Sequence, residues 1–462
     1  GGSDKGNYFF SGNVYDHQGI MIGNDYKRYQ ARVNSNFNIG KRIRVGENLN
    51  VAYQQTRASI GNPNEGSPLI NTYGMPQLVP VYDIKGNYAS PANFNSNVSN
   101  PVAQQLRNRA NNFGHSFRVT GSVYGEVDLA DFLTWKTSYG LDYNSGPGQG
   151  YGTRAYEATE GNTNPNSLGN SYFLNRNWVA FSTLNFKKSF GDHKVNALLG
   201  YEAKQTYYEG FNAGGSELAF DNFNYRLLQN VNPATFRMSS YRGEHNVVSQ
   251  FFQTNYSYSD KYLVSATVRR DGSSRFIENK YGIFPSASVG WRLSKESFMD
   301  NVSFISDLKL RASYGVLGNN EVGGDYPGFS NFSTGVDAAN YSINGANNST
   351  TTGFEQSSTG NPKLKWESTA VTNIGFDASL AGGWNVMIEW YKRDTRDMIY
   401  NVELPLELGA VGRQAQNIGQ MTNTGIDFAV GYTKRVNRDF NFNVNLTGST
   451  VKNEVVKLEA NS

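Results

Sequence analysis

The chain has 462 residues, no cysteine and a formal net charge of +3. So small a charge gives no electrostatic reason for a nucleic-acid partner, and the missing cysteine removes disulfide scaffolds and thiolate metal sites. Aromatic residues make up 14% of the chain, with 29 Tyr, 28 Phe and 49 Gly, a composition of strands and turns rather than long helices. The mean hydropathy of −0.56 reads as soluble, yet a membrane barrel gives such values too, because lipid-facing residues alternate with polar ones. No apolar run of about 18 residues occurs, so no membrane-spanning helix is expected. No signal peptide opens the sequence at Gly1-Gly2-Ser3-Asp4, and it reads as a fragment of a longer precursor.

Period-two alternation runs along the chain. Taken in order, strands are expected over about 7–17, 26–39, 45–57, 113–129, 132–144, 173–187, 194–209, 246–258, 261–270, 280–292, 306–316, 365–380, 384–398, 423–434 and 440–452. In the second, Arg28, Gln30, Arg32, Asn34, Asn36 and Asn38 oppose the face of Tyr29 and Ile39. In the fourth, Val119, Gly121, Val123, Gly125, Val127 and Leu129 oppose Arg118, Thr120, Ser122, Tyr124, Glu126 and Asp128. The fifth sets Leu133, Trp135, Tyr139, Leu141 and Tyr143 against Thr134, Lys136, Ser138, Asp142 and Asn144. Strands of about ten residues or more suit a tilted membrane crossing.

The connections alternate by end. Short ones fall near 40–44, 130–131, 188–193, 259–260, 293–305, 381–383 and 435–439. The others are 18–25, 58–112, 145–172, 210–245, 271–279, 317–364 and 399–422, and the five long ones are all in this set. Outer-membrane barrels have short periplasmic turns and long extracellular loops. The expected fold is therefore all-β, a large antiparallel transmembrane β-barrel with its long loops outside the cell. Such barrels close with an even number of strands, so an odd count of about 15 suggests an incomplete wall. Residues 1–462 then form a partial barrel domain truncated at both ends, with one strand before Gly1 and more after Ser462. Trp135, Trp291 and Trp384 fall near short turns and Trp366 near the long-loop end, as the two aromatic girdles of a barrel would.

Little in the sequence points to chemistry. His17, His115, His193 and His245 form no pair at metal spacing. Asp271-Gly272-Ser273-Ser274-Arg275-Phe276 lacks the carboxylates of a calcium loop and the Lys-Ser/Thr of a phosphate loop; it reads as a rigid extracellular turn, with Asp271 pairing Arg269 or Arg275. No nucleophile motif stands out, so no enzyme, metal or cofactor is expected. Arg28, Arg32, Arg118, Lys136, Arg269, Arg292, Lys309, Arg311 and Arg393 share the polar face with Glu126, Asp128, Asp142 and Glu389. Such mixed charge suits a hydrated path or the packing of an internal plug. The long loops join Asn, Gly and Ser to aromatic residues, a surface suited to sugars or peptides, although solvated loops share this composition. Tyr73, Tyr82, Phe94, Tyr172, Tyr207, Tyr341 and Phe354 are the candidate substrate contacts there.

Particular residues then carry a family resemblance. Tyr262-Leu263-Val264-Ser265-Ala266-Thr267-Val268-Arg269-Arg270 leading into Asp271–Phe276 resembles a signature of the SusC/RagA family of TonB-dependent outer-membrane transporters. Similar blocks follow in family order: Tyr281-Gly282-Ile283-Phe284-Pro285 to Arg292, Leu308 to Gly315, Asn361-Pro362-Lys363-Leu364-Lys365-Trp366-Glu367, Asn373-Ile374-Gly375 and Asn423-Thr424-Gly425-Ile426-Asp427. Tyr8-Phe9-Phe10-Ser11-Gly12 through Ile20 resembles the early barrel after the plug. Arg269, Asp271, Gly272, Ser273, Ser274, Arg275, Phe276, Pro285, Trp366 and Glu367 are expected to act structurally within these blocks.

The resemblance implies a barrel of roughly 22 strands, with a plug domain not contained in this chain. It implies drive from TonB through the absent N-terminal region, and a SusD-like surface lipoprotein as a lid over a polar nutrient, an oligosaccharide or a peptide. A dimer of barrel–lid pairs is the family habit. Outer-membrane lipids and lipopolysaccharide are the remaining expected partners. A scaffold subunit without transport and a passive porin are the competing readings. A TonB box in the full gene would speak against the first, and a plug against the second.

Overall fold

The computed structural model describes residues 1–57, 67–91, 98–153, 165–334, 341–342, 345, 350–351, 353–405, 407 and 412–458. The strands are β1 Gly2–Ser3, β2 Gly6–Gln18, β3 Asp25–Ile39, β4 Ile43–Arg57, β5 Phe113–Ala130, β6 Leu133–Gly152, β7 Ser167–Phe190, β8 His193–Ser216, β9 Arg237–Tyr258 and β10 Tyr262–Ser273. They continue with β11 Tyr281–Arg292, β12 Ile305–Asn319, β13 Asn331–Ser333, β14 Tyr341–Ser342, β15 Thr350–Thr351, β16 Glu355–Ser358, β17 Glu367–Leu380, β18 Trp384–Glu403, β19 Arg413–Arg435 and β20 Asn441–Leu458. Two helices, α1 Pro68–Gly74 and α2 Pro101–Asn111, lie between β4 and β5. One sheet of 16 strands takes β1 to β12 and then β17 to β20 in sequence order, each beside its neighbour in the chain. Among the described residues no helix is long and apolar enough to cross a membrane, which says nothing of strands.

The fifteen long strands fall where alternation places them. Their differences lie almost wholly at the long-loop end. β6 runs on to Gly152, β7 starts at Ser167, β8 reaches Ser216, β9 starts at Arg237, β18 reaches Glu403 and β19 starts at Arg413. In the extensions of β6 and β9 polar residues and glycines occupy both faces, so the backbone ladder continues without the alternation that reveals a strand.

Contacts divide the chain into two compact units. The first holds residues 1–125, 138–179 and 205–244, and the second holds 126–137, 180–204 and 245–462. Each keeps one apolar and one polar face. In the first, Phe10, Val33 and Leu49 stand side by side across β2, β3 and β4, and the next row on the other face is Ser11, Arg32 and Asn50. In the second, Val264, Val289, Ala312, Ile374, Trp390 and Ile426 form a row from β10 to β19. The adjacent row of the opposite face is Ser265, Ser288, Ser313, Asn373, Tyr391 and Gly425.

The joint abundance of glycine and aromatics has a local cause. Rings lie across glycines, where a Cβ would collide with them. Phe251 covers Gly200, Phe284 covers Gly318, Phe428 covers Gly448 and Tyr281 covers Gly272. The ring shields exposed backbone and the glycine leaves room for it.

Short turns also match their residues. Between β9 and β10, Ser259 and Asp260 both have positive φ, 51° and 52°, the backbone of a tight hairpin that Asp tolerates well. Beside this turn the second unit carries an aromatic row on its apolar face: Tyr258, Tyr262 and Trp291 occupy one register line. Glu296, just past β11, accepts hydrogen bonds from Lys261 Nζ at 2.9 Å, Tyr262 Oη at 2.8 Å and Trp291 Nε1 at 2.9 Å. The Lys261 ammonium above all, then the indole and phenol donors, hold the Glu296 carboxyl down at about 2. The clamp should therefore be fully present above the ordinary Glu value and be lost as pH falls toward 2. Trp291 fluorescence should stay constant from about pH 8 to about pH 4 and change as pH falls through about 2, and Glu296→Gln should abolish that change. A titration unaffected by Glu296→Gln would refute the clamp.

Candidate functional site

The polar face is laced by cross-strand ion pairs. In the first unit, Arg118 donates to Asp142 through Nε at 2.9 Å and Nη2 at 2.8 Å, and Thr120 Oγ1 donates to the same carboxylate at 3.1 Å. Arg28, Gln30, Arg32, Asn48, Asn50 and Arg118 line a cavity of about 480 Å³. In the second unit, Arg269 is a hub: it bonds Asp271 at 2.7 Å, Glu202 at 3.1 Å and Ser249 Oγ at 2.7 Å, with its guanidinium 5.5 Å from the Phe251 ring. Lys309 and Arg311 both reach Asp377, at 3.0 and 3.3 Å, and Arg311 also bonds Glu389. Arg292 pairs with Asp307 at 3.3 Å, and Lys136 with Glu126 at 3.5 Å. These pairs are partly exposed, so each adds about 0–1 kcal/mol. Together they lay cations and anions side by side over a hydrated face. Cavities of about 560 and 600 Å³ open on this unit, one with Lys187, Lys194 and Lys309 in its lining, the other with Gln253, Thr267 and Ser286.

Above the polar face, at the long-loop end of the second unit, the signature blocks assemble one packed corner. Phe276 has 0% exposure and Leu364 1%, with Val322 and Ala415 beside them. Trp366 joins them with its ring 5.5 Å from Phe276 and 5.3 Å from Phe284, and its Nε1 donates to Lys280 O at 3.0 Å. Trp366 thus packs, partly buried, against this core, whereas Trp135, Trp291 and Trp384 stand exposed by short turns as expected. Glu367 accepts from the Ile399 amide at 3.1 Å and from Asn319 Nδ2 at 3.3 Å. Asn279 Nδ2 donates to Lys363 O at 3.0 Å, and Asn417 Nδ2 to Lys365 O at 2.9 Å. Pro285 sits where the β12 ladder stops, opposite Val268, so its missing N–H costs no bond there.

The expected turn over Asp271–Phe276 is in part strand, since β10 runs to Ser273 with Asp271 and Gly272 paired to β11, and of the two expected partners Asp271 takes Arg269. Arg275 turns away to Glu321 at 2.9 Å and Asp325 at 3.6 Å. His245 Nδ1 lies 2.8 Å from the same Asp325. Ser273 Oγ accepts from Asn320 Nδ2 at 3.1 Å, and Ser274 Oγ accepts from the Asn246 amide at 2.9 Å. None of these Arg275, His245, Ser273 and Ser274 contacts joins residues near in sequence, which is why a pattern of spacing does not show them.

The candidate contacts scatter. Tyr172 and Tyr207 are not loop residues: Tyr172 lies on β7, which starts before the expected 173, and Tyr207 lies on β8, within the strand already expected over 194–209. Both stand on the face of Tyr139. Tyr139 stacks on Trp178 at 6.2 Å, Trp178 bonds Gln205 at 2.7 Å, the Arg176 guanidinium lies 4.8 Å from the Tyr207 ring, and Tyr172 stacks on Phe211 at 6.1 Å. That is the apolar face of the first unit, so these two residues point away from the charge-laced face. Tyr73 lies in the last turn of α1 at 83% exposure, and Phe354 is exposed. Phe94 and the Tyr341 side chain lie outside the described residues.

Tyr82 remains the best placed. It stacks on Tyr88 at 5.4 Å and 29°. Between them Asp83 Oδ1 accepts the amides of Lys85 and Asn87 at 2.8 Å each, and Gly86 takes φ +82° to turn the chain. The rings border a cavity of about 990 Å³ with Asp83, Asn87, Ser90 and Arg107. Asn100 fixes this turn to α2: its Nδ2 donates to Val81 O and Ala89 O at 2.9 and 3.2 Å, while its Oδ1 caps the helix at Val102 and Ala103. The sequence reading takes 58–112 as plain loop. Ser67-Pro68 and Asn100-Pro101, each an N-cap followed by proline, are the missed signals for both helices.

Residues 62–457 match the family described as TonB dependent receptor-like, beta-barrel. The chain belongs to this family. It is similar to TonB-dependent receptor P39 of Formosa agariphila, 31% identical with 99% of this chain and 42% of the relative covered. It is also similar to TonB-dependent receptor SusC of Bacteroides thetaiotaomicron, 27% identical over 96% of this chain and 45% of the relative. The chain thus spans a little under half the length of these curated relatives. The solved RagAB peptide transporter shares the fold, with a TM-score of 0.84 and 24% identity over 99% of this chain and 50% of that one. Proteins of this family are outer-membrane receptors and transporters, and the TonB-dependent SusC/RagA type expected from the signature blocks is the type these relatives represent.

Proposed function

We propose that this chain is part of the barrel wall of a TonB-driven outer-membrane importer of oligosaccharides, working under a SusD-like lipoprotein. Residues 1–462 are read as a partial barrel domain. The polar face is its lumen, the apolar face meets lipid, and the long loops stand outside the cell. The observation that carries the substrate class is the Tyr82–Tyr88 platform. Two stacked rings offer a flat apolar surface to a sugar ring, and amide, hydroxyl and charged groups around them suit its hydroxyls. RagAB, described as a peptide transporter, shares the fold at an identity too low to choose between peptide and sugar.

The test is binding of neutral oligosaccharides and of mixed peptides to the full-length protein in detergent. Tyr82→Ala should weaken oligosaccharide binding about tenfold, as loss of roughly 1–1.5 kcal/mol of ring contact does. Peptide binding that survives while no oligosaccharide binds would replace sugar with peptide as the cargo.

A further inference from the structure

Arg270 lies on the apolar face of β10, between Gln250 of β9 and Ile283 of β11. Its guanidinium stacks 3.8 Å from the centre of the Tyr281 ring, and its Nη1 donates to Gln250 Oε1 at 3.2 Å. Among the described residues no carboxylate pairs with it. Arg396, on the same face of β18, is held instead by Asp394 at 2.7 Å. The Tyr281 ring can reach Arg270 because Gly272 has no Cβ to lift it away. Beside this stacked cation the face is apolar and open: Ile283 is 63% exposed, Val268 47% and Phe252 46%.

The depth of this cation follows from the strand. Tyr281 and Trp291 bound β11, ten residues apart. At about 3.3 Å per residue they are about 33 Å apart along the strand, and a tilt of about 40° reduces this to about 25 Å, the height of a barrel's apolar band. Trp291 with Glu296 marks the short-turn boundary, so Arg270 and Tyr281 mark the long-loop boundary. At the edge of the hydrocarbon an arginine costs only about 0–1 kcal/mol, and with no carboxylate beside it among the described residues its remaining N–H donors are open to a headgroup anion. A planar guanidinium matches a phosphate through paired hydrogen bonds.

We propose that Arg270 and Tyr281 hold a lipid A phosphate of lipopolysaccharide in the outer leaflet, with the acyl chains lying over Ile283, Val268 and Phe252. This rests on the orientation adopted above, with the long loops outside the cell. The site is distinct from any nutrient path, because it lies on the face opposite the Arg269 hub.

The full-length protein in nanodiscs is offered lipid A, dephosphorylated lipid A, or phosphatidylglycerol, and the bound lipid is read by native mass spectrometry. Lipid A should be retained over both others. Arg270→Gln should lower its retention about fivefold, the effect of one basic residue at a lipid surface, with Arg270→Lys intermediate and all three proteins melting alike. If Arg270→Gln melts earlier, the Arg270→Lys comparison carries the test. Lipid A retention unchanged by either variant, or equal retention of phosphatidylglycerol, overturns the site. These 462 residues contain no cysteine; in a full-length protein with any cysteine elsewhere replaced by serine, Ser274→Cys reports orientation separately through an impermeant maleimide on intact cells. Labelling there together with unchanged lipid A retention contradicts the site alone; labelling only after the membrane is broken contradicts the orientation, and the site with it.

Discussion

Phe276→Ala should loosen the long-loop corner of the second unit by about 3–5 kcal/mol, the usual loss for a buried phenyl ring. The ring is fully buried and touches three segments distant in sequence, around Val322, Leu364 and Ala415. No neighbour is placed to collapse into the space. Leu364 is pinned in a turn by its own amide to Asn361 O, and Trp366 is tied to Lys280 O. The sheet below should survive, because its ladder bonds do not pass through this residue. The loss should therefore be local, appearing as faster amide exchange in residues 273–280 and 360–366, by about two orders of magnitude for roughly 3 kcal/mol. Exchange in β17 at Ile374 should not change. Uniform acceleration through the sheet, or none in the corner, would refute this account of the signature block.

Arg275→Met should cost about as much, by a different route. The Arg275 and Asp325 side chains are only 9% and 5% exposed. Removing the cation leaves a buried carboxylate beside the His245 imidazole, 2.8 Å away, and breaking such a pair costs about 3–5 kcal/mol. The Glu321 contact contributes little, since that side chain is 74% exposed. The pair is also imperfect: Arg275 Nε and Asp325 Oδ2 are buried without hydrogen-bond partners. The double variant Arg275→Met, Asp325→Leu should then recover most of the loss, because apolar groups of similar size replace an incompletely satisfied pair. Thermal melts of the two single variants and the double variant decide this. A double variant as unstable as the sum of the singles would show that the pair is not the source.

The strands were legible because lipid on one side and water on the other impose a period of two, seen in rows such as Val264 and Val289 against Ser265 and Ser288. Legibility ends where that contrast ends. Beyond Asn144 and before Phe173 the sequence loses its alternation, yet β6 continues to Gly152 and β7 begins at Ser167. This shift also explains the misplacement of Tyr172, a strand residue on the apolar face. The blocks of the SusC/RagA resemblance are adjacent only in the fold: Phe276, Leu364 and Trp366 meet across some ninety residues of chain, and spacing within each block reveals nothing of that meeting. The Arg269–Asp271 pair was legible because β-strand neighbours two apart share a face. The Arg275–Asp325 pair was not, for the opposite reason.

The function proposed for the whole protein is energised import. The direct measurement is uptake of a labelled oligosaccharide by cells carrying the full-length gene, with and without a functional TonB system. The account predicts saturable uptake that disappears when either the gene or TonB is removed. Uptake that persists unchanged without TonB would contradict it, and would leave a passive pore or a scaffold in its place.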